Sequence, residues 1–410
     1  MTKPHSTGQN DTLIIALVGF AHLLSHFYQF ALGPLFPLLR EEFSVSYTAL
    51  GLIITLFYGV SGLCQAFAGI IVDRYGADRL LLFGVTTMST SVFLMGLAPS
   101  YWLLLPLAVI SALGNCVFHP ADLSILSEKI SPQRIGRAFA VHGFGGTCGY
   151  FLAPVVIYYG VASFAGWRAG LMVGGVIGWL AVIWIYRNRA VLRMPQERNQ
   201  EQDKRPGSDT PSVKFYKGLL TNKALMAAFA YFALVAAAGV GMQAFSVTAF
   251  VEIYNAPLYL ATAGLTAYLG ATAVGIIVGG ELADRFPRHA LIATTGLIFG
   301  ASLMSLVALL ALPMFVIIVL LAGAGFCIGI TSPSRDILVR GATPAGATGK
   351  VFGFVYSGLD LGSSTAPLLF GSLMDGGQFR IVFLVIAIMY AMGIFSVLQL
   401  KRGTRPVLVE

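Results

Sequence analysis

Long apolar runs dominate this sequence and restrict what it can fold into. Of its 410 residues, 57% are hydrophobic and only 11% are charged, and its mean hydropathy is +0.80. A soluble domain could not bury this much apolar surface. About 20 apolar residues cross the hydrocarbon as a helix that pairs its own backbone amides, whereas a β-barrel would show alternation. The sequence therefore predicts an all-α integral membrane protein.

Polar breaks divide the apolar runs into twelve predicted transmembrane helices, arranged as two halves of six. Residues 188–222 are rich in Arg, Lys, Gln and Ser, which is typical of a solvated linker. The predicted organisation is a tail (1–11), a six-helix half (12–187), this linker, a second half (223–400) and a tail (401–410). The predicted helices, called spans 1 to 12, cover approximately 12–38, 47–72, 79–98, 101–126, 136–160, 167–187, 223–250, 258–283, 290–311, 314–339, 349–373 and 379–400.

Two distant stretches of the chain share a motif. Gly-x-x-x-Asp-Arg occurs at 69–74 and again at 280–285, a shift of 211 positions. Further matches follow in the same order at an offset of 213, namely Pro120 with Pro333, Gly149 with Gly362, and Pro154 with Pro367. An ordered series of this kind predicts a duplicated half, which is how many secondary transporters are built.

Lys and Arg lie mainly in alternate connections between the spans, including the linker. By the positive-inside rule, these connections and both termini are expected on the cytoplasmic side of the inner membrane. The net charge of +8 then reflects topology, so membrane lipid is expected around the chain and nucleic acid is not an expected partner. The four cysteines lie in apolar segments without metal-type spacing, and we interpret them as packing residues.

These features together resemble the major facilitator superfamily of secondary transporters, over residues 12–400. The most specific element is the loop signature Gly-x-Leu-Ala-Asp-Arg-x-Gly-Arg-Arg. The resemblance implies that this loop latches the cytoplasmic side, whereas a plainer interpretation is a charged turn that sets topology. The matching residues are Gly69, Asp73, Arg74, Gly76 and Arg79 in the first copy, and Gly280, Leu282, Ala283, Asp284, Arg285 and Arg288 in the second.

Two spans resemble particular branches of this superfamily. Residues 143–154 of span 5 are similar to the glycine-rich antiporter signature of its exporters, with Ala153 in place of the glycine in the usual Gly-Pro pair. The arginine that many drug–proton antiporters carry in span 4 is replaced by Ile110, four residues before Gly114. Span 1, which contains His22 and His26, is similar to the fosmidomycin-resistance branch of exporters.

Ionisable residues within the first half are the first candidates for function, because charges in hydrocarbon are costly. His22 and His26 are four residues apart and share a face of span 1. His119 and Asp122 are three apart on span 4, and His142 begins span 5. Imidazoles and a carboxylate can exchange protons, bind a substrate or ligate a divalent metal. The alternative is that they are structural pairs satisfied by their neighbours.

The second half offers Arg335 and Asp336 on span 10 and Asp360 on span 11 as candidates for proton or substrate binding. Arg335 occupies the position that corresponds to Asp122 under the 213-residue offset. Because repeat-related positions face each other across the pseudo-two-fold axis, we predict an Asp122–Arg335 gate that closes the cytoplasmic side.

The function expected from these features is secondary active transport of a small organic molecule by alternating access, coupled to protons. The resemblance implies export, and a monomer; no cofactor is predicted. Alternatives left open are uptake of an anionic metabolite bound to Arg335, a non-transporting receptor, and an intramembrane His/Asp enzyme. The enzyme is disfavoured because the His-Glu-x-x-His and Gly-x-Ser-x-Gly motifs do not occur. A last alternative is transport of a divalent metal or metal chelate through His22, His26, His119 and Asp122.

Overall fold

Helices make up the regular structure of the computed structural model, which describes residues 8–131, 134–193, 221–341 and 348–403. No strand occurs in these ranges, so the predicted all-α class is confirmed. Most of the predicted linker and parts of both predicted tails lie outside the described residues.

The helices follow the predicted spans closely, with additional breaks in spans 1, 4 and 5. In chain order they are Gly8–Gln29, Phe36–Phe43, Tyr47–Tyr75, Ala77–Gly96, Tyr101–Asn115, Phe118–Lys129, Ile135–Ala153, Ser163–Arg187, Arg189–Leu192, Lys223–Tyr254, Leu258–Arg285, His289–Leu309, Met314–Gly341, Thr348–Asp375 and Phe379–Gly403. A short 3₁₀ turn, Gly33–Leu35, joins the first two, and a π-helix, Pro154–Ala162, continues span 5.

Ten segments of the described chain are long and apolar enough to cross a membrane. One of them, Ile135–Arg187, has 53 residues and covers both span 5 and span 6. Its helix is broken at Gly166, whose positive φ of 84° is readily adopted only by glycine. Span 11 is not one of these ten segments, and it corresponds to the 28-residue helix Thr348–Asp375. The chain is a multi-pass membrane protein, and the number twelve stays a prediction.

The break in span 4 places two candidate residues at the start of a new helix. The first segment ends at Asn115 and the second begins at Phe118. Pro120 lies in the first turn of the second segment, where its missing N–H costs no helical hydrogen bond. His119 and Asp122 therefore both lie in the first turns of this short helix.

The Gly69–Arg79 stretch is mostly helical, which corrects the expectation of a turn. The helix of span 2 continues through the motif to Tyr75. Only Gly76 leaves the helical conformation, with a φ of 91° that an L side chain rarely adopts. The second copy behaves similarly, because the helix of span 8 continues to Arg285 and Pro287 lies just beyond its end.

Contacts between helices divide the chain into two compact units. The first comprises 1–38 and 56–208, and the second comprises 39–55 and 209–410. Leu81, Leu104 and Leu171 are fully buried in the core of the first unit. Within the second unit, the buried rings of Phe250 and Phe383 stack 4.7 Å apart.

Glycines on span 5 let its backbone lie against that of span 1 in the first unit. A Cβ atom placed on Gly149 would lie only 2.2 Å from the carbonyl oxygen of Leu23. One placed on Gly145 would lie 2.9 Å from the carbonyl oxygen of Gly19. The glycine-rich stretch is therefore a close-packing surface, in which the absence of side chains permits the approach.

Span 11 packs on span 7 in the same way within the second unit. A Cβ atom on Gly362 would lie 2.1 Å from the carbonyl oxygen of Ala233, and one on Gly358 would lie 2.5 Å from that of Phe229. Gly358 and Gly362 are 213 positions after Gly145 and Gly149. The internal repeat thus preserves a packing contact as well as a sequence pattern.

An acidic residue anchors the start of span 2 within the second unit. Asp375 accepts hydrogen bonds from the backbone N–H groups of Tyr47 (2.7 Å) and Thr48 (3.0 Å) and from the Thr48 hydroxyl (2.6 Å). The Tyr47 hydroxyl donates to Glu252, and the Arg40 guanidinium lies 4.3 Å above the Tyr47 ring. The carboxylate satisfies N–H groups that have no partner within the helix itself.

We expect Asp375→Ala to lower the free energy of unfolding by about 1–2 kcal/mol, because the start of a helix loses its acceptor. Thermal unfolding of the purified protein in detergent measures this. Glu281→Ala is the matched control, since Glu281 forms an exposed pair with Arg285 that contributes little. Equal effects of the two substitutions would contradict the anchoring role of Asp375.

Candidate functional site

A fully buried carboxylate between two histidines is the centre of the candidate site in the first unit. Asp122 is 0% exposed, and its Oδ2 lies 3.2 Å from His22 Nδ1 and 3.0 Å from His142 Nε2. The contact with His142 has hydrogen-bond geometry. Three separate spans contribute these side chains, which are distant from one another in the sequence.

Close packing of spans 1 and 5 brings the histidines together. His22 and His142 stack with their ring centroids 3.6 Å apart. Gly146 leaves room for the rings, because a Cβ atom there would lie 3.0 Å from His22 Nε2 and 3.1 Å from His26 Nε2. The glycines of span 5 therefore set both the helix spacing and the space that the imidazoles occupy.

Two further histidines complete the group, which we call the Asp122–histidine cluster: Asp122, His22, His26, His119 and His142. The ring of His22 lies 4.6 Å from that of His26 and 5.2 Å from that of His119. The sequence analysis treated these residues as two sets, one on span 1 and one on spans 4 and 5, and joined four of them, without His142, only in the metal-transport alternative. The structure brings all five into one site.

The cluster can hold protons even though its buried surroundings destabilise an isolated charge. A carboxylate beside a protonated imidazole is a neutral pair, whereas a lone carboxylate in hydrocarbon is costly. Both ring nitrogens of His26 and Asp122 Oδ1 are buried without a hydrogen-bond partner among the described residues. These atoms are free to take up a proton or bind water. Such groups share protons as a unit.

Three histidines of the cluster are also close enough together to be considered as metal ligands. His22, His119 and His142 each offer one nitrogen, and these three atoms all lie within 4.8 Å of one another. Two nitrogens on a tetrahedral zinc ion at roughly 2.0–2.1 Å would lie about 3.4 Å apart. The set expected from the sequence also included His26, which does not belong to this group of three.

Gln29 joins the cluster to a network of uncharged polar side chains in the first unit. Its Oε1 accepts hydrogen bonds from the hydroxyls of Tyr150 (2.7 Å) and Tyr58 (3.3 Å). Its Nε2 donates to Asn115 Oδ1 at 3.0 Å, and the Tyr150 ring lies 4.6 Å from that of His26. The sequence analysis did not identify Tyr58 and Tyr150 as site residues, because aromatic residues in apolar spans are usually packing residues.

Arg335 and Asp336 form an adjacent ion pair in the second unit. Arg335 Nε lies 2.9 Å from Asp336 Oδ1, and its Cζ lies 4.4 Å above the ring of Phe232. The Tyr356 hydroxyl also donates to Asp336 Oδ1, at 3.3 Å. Asp360, one helical turn after Tyr356, is half-buried. Asp122 and Arg335 each have a charged or titratable partner in their own unit, and the Asp122–Arg335 gate stays a prediction.

The predicted latch residues lie at the ends of helices. Arg74 and Arg79 are exposed, as are Asp284, Arg285 and Arg288 in the second copy. Nothing lies within 4 Å of a Cβ atom placed on Gly69 or Gly280. The Asp73 side chain lies outside the described residues. Asp78, which the sequence analysis did not single out, is buried and pairs with Arg189 at 2.6 Å.

Solved structures with the same fold exist. A bacterial homologue of the human lysosomal transporter Spinster, in an inward-facing and occupied conformation, superposes with a TM-score of 0.77 over 98% of each chain at 14% sequence identity. This likeness establishes the architecture, and the identity is too low to carry function.

Sequence relatives and a family profile agree with that architecture. The Fosmidomycin resistance protein of Escherichia coli (strain K12) is 25% identical over 67% of this chain and 66% of its own length. A protein of the same organism, named "Probable L-galactonate transporter", is 21% identical over 96% of this chain and 89% of its own length. The Major Facilitator Superfamily profile matches residues 18–265 and 233–408. The chain therefore belongs to the Major Facilitator Superfamily of membrane transporters.

Proposed function

We propose that this transporter moves a small organic molecule in exchange for protons, and that the Asp122–histidine cluster is where the proton binds. The observation that carries the proposal is the position of Asp122, fully buried with two imidazole nitrogens within 3.2 Å of one carboxylate oxygen. A structural ion pair would need one partner, whereas this carboxylate has two imidazoles against one of its oxygens. Imidazole is also the side chain whose charge changes near neutral pH.

Binding of a proton can be linked to alternating access through the packing of span 5. His142 and Gly146 lie on the surface of span 5 that contacts span 1. A change in the charge of the cluster alters the attraction between Asp122 on span 4 and the histidines on spans 1 and 5. Protonation therefore acts where three helices meet. When two conformations of the transporter differ in proton affinity at this contact, binding of a proton shifts the equilibrium between them.

Export is the direction we propose. One sequence relative is named for resistance to fosmidomycin, and resistance by a membrane transporter is most simply explained by removal of the compound. Residues 143–154 also resemble the antiporter signature of exporters. The relative named for L-galactonate leaves uptake as the competing direction, with proton symport in place of antiport.

Proton flux in proteoliposomes separates these possibilities. The purified protein is reconstituted with a pH-sensitive dye inside, the membrane potential is clamped, and fosmidomycin, other phosphonates, lipophilic drugs or carboxylates are added outside at equal pH. Antiport predicts that the interior becomes more alkaline as the compound enters, because protons leave. Symport predicts acidification. A compound that is transported without any change in internal pH would contradict proton coupling.

A further inference from the structure

Three histidines of the Asp122–histidine cluster surround a common centre. His22 on span 1, His119 on span 4 and His142 on span 5 each offer one ring nitrogen within 4.8 Å of the other two. Three points this close lie within that distance divided by the square root of three of a common centre, so an ion there would be at most about 2.8 Å from each nitrogen. Zinc–imidazole bonds measure roughly 2.0–2.1 Å, so shifts of less than about 1 Å in each side chain complete the coordination.

Asp122 supports this group in the way that carboxylates commonly support metal-binding histidines. Its Oδ2 accepts a hydrogen bond from His142 Nε2 at 3.0 Å. An imidazole that donates one ring N–H to a carboxylate keeps its other nitrogen for a metal ion, and the carboxylate fixes the orientation of the ring. The negative charge of Asp122 also offsets part of the charge of a divalent cation, which a buried site requires.

Two buried atoms of the group have no hydrogen-bond partner within the described part of the chain. They are His22 Nδ1 and Asp122 Oδ1, and the two side chains are 4% and 0% exposed. Polar atoms left unpaired at this depth are costly, so each needs a ligand. A divalent cation suits both, because it accepts an electron pair from imidazole and attracts a carboxylate.

His119 provides an approach from water. It is exposed, whereas His22 and His142 are buried. An ionisable side chain within a membrane span almost always faces the bundle interior or a water-filled cavity. The His119 ring lies 5.2 Å from that of His22 and 6.2 Å from that of His142. An ion can therefore reach all three histidines past His119 without separation of spans 1 and 5.

We propose that His22, His119 and His142 bind one divalent transition-metal ion of the zinc class, and that this ion excludes the proton from the cluster. Imidazole suits zinc, nickel and copper, whereas Mg²⁺ and Ca²⁺ prefer oxygen ligands. The ion requires deprotonated ligands and so competes with protons. His142 takes the place that the sequence analysis gave to His26. Exclusion of the proton rests on the proposed function, whereas metal binding itself does not.

Equilibrium dialysis with Zn²⁺ tests the binding directly. The purified protein, without a histidine tag and in detergent micelles, is dialysed against Zn²⁺ or Mg²⁺, with protein-free micelles as the blank. We expect Zn²⁺ to be retained and Mg²⁺ not. The midpoint of thermal unfolding should also rise with Zn²⁺ concentration, because the ion binds the folded state. A protein that retains no more Zn²⁺ than the blank would overturn the proposal.

Three substitutions within the cluster identify the ligands. His119→Gln and His142→Gln each remove one proposed ligand, and we expect each to weaken Zn²⁺ binding at least about tenfold, because even neighbours of metal ligands have effects of this size. His26→Gln is the matched control, since His26 belongs to the cluster but not to the group of three. It should bind Zn²⁺ as the wild type does. Equal losses in all three variants, or a loss in none, would refute this ligand set.

Transport assays separate this inference from the proposed function. Zn²⁺ should inhibit proton-coupled transport over the concentration range in which it binds, and His119→Gln should shift inhibition and binding together to higher concentration. Binding at these histidines without inhibition would refute the exclusion of the proton, and with it the placement of the proton in the cluster, while the metal site would stand. Failure to bind Zn²⁺ would remove the metal site and leave the proton site untouched.

Discussion

Asp122→Asn is expected to abolish proton-driven transport while leaving exchange of substrate across the membrane. Asparagine has nearly the volume of aspartate and can still hydrogen-bond to His142, but it cannot carry the negative charge that holds a proton on the imidazoles. Transport driven by a pH gradient should fall at least about 100-fold, the size of effect typical for loss of a positioned proton-transfer group. Equilibrium exchange needs no net proton movement and should continue.

Comparing the two assays in the same vesicles distinguishes loss of coupling from loss of folding. A misfolded variant loses both gradient-driven transport and exchange. His142→Gln should weaken the response to the gradient less than Asp122→Asn, because His22 remains beside the carboxylate. His289→Gln is the matched control, since His289 lies at the start of span 9, in the other unit from the cluster. If Asp122→Asn retained gradient-driven transport, the proton would have to bind elsewhere.

The sequence predicted those parts of the site that depend on local spacing. His22 and His26 lie four residues apart on a helix, so their shared face follows from helical geometry alone. His142 could be suspected because it is an ionisable residue at the start of an apolar span. Its stacking on His22 could not be predicted, because it depends on which faces of spans 1 and 5 meet. That choice is made by Gly145 and Gly149, whose packing partners the sequence does not identify.

Long-range contacts could not be predicted from the sequence for a similar reason. Asp375 bonds to the backbone of Tyr47 across 328 positions, and no periodicity connects the two residues. The Gly69–Arg79 motif was expected to form a loop or a charged turn after span 2, yet helix continues to Tyr75. A helix that emerges from the membrane can extend into water, since its backbone hydrogen bonds are internal in both solvents. Hydropathy therefore marks the end of the apolar run rather than the end of the helix.

The sequence interpretation of Arg335 also shows a limit of reasoning from charge alone. An arginine in an apolar span is a natural candidate for binding an anion. The structure supplies two facts that composition cannot give: Asp336 neutralises the guanidinium, and Phe232 covers it. Adjacent residues on a helix usually point in different directions, so a pairing between positions 335 and 336 is not expected from spacing.

Replacing Gly149 with alanine is expected to destabilise the protein and disable the cluster. The new Cβ would lie 2.2 Å from the carbonyl oxygen of Leu23 and 2.9 Å from both His26 Cβ and the backbone nitrogen of Phe27. Two of these three neighbours are backbone atoms, which cannot rotate away, so spans 1 and 5 must separate. Overpacking of this kind costs typically about 1–3 kcal/mol. The midpoint of thermal unfolding should fall, and gradient-driven transport should be lost with it.

The repeat-related glycine of the second half allows effects on stability to be separated from effects on transport. Gly362→Ala creates the corresponding overlap with Ala233 in the second unit, so we expect a similar loss of stability from a substitution outside the unit that contains the Asp122–histidine cluster. Gly143→Ala and Gly239→Ala are the matched controls, because nothing lies within 4 Å of a Cβ atom at either position. Their midpoints should be unchanged or slightly higher, since alanine favours helix over glycine by about 1 kcal/mol. If Gly149→Ala unfolded at the same temperature as Gly143→Ala, the close approach of spans 1 and 5 would be refuted, and with it the geometry that places His142 on His22.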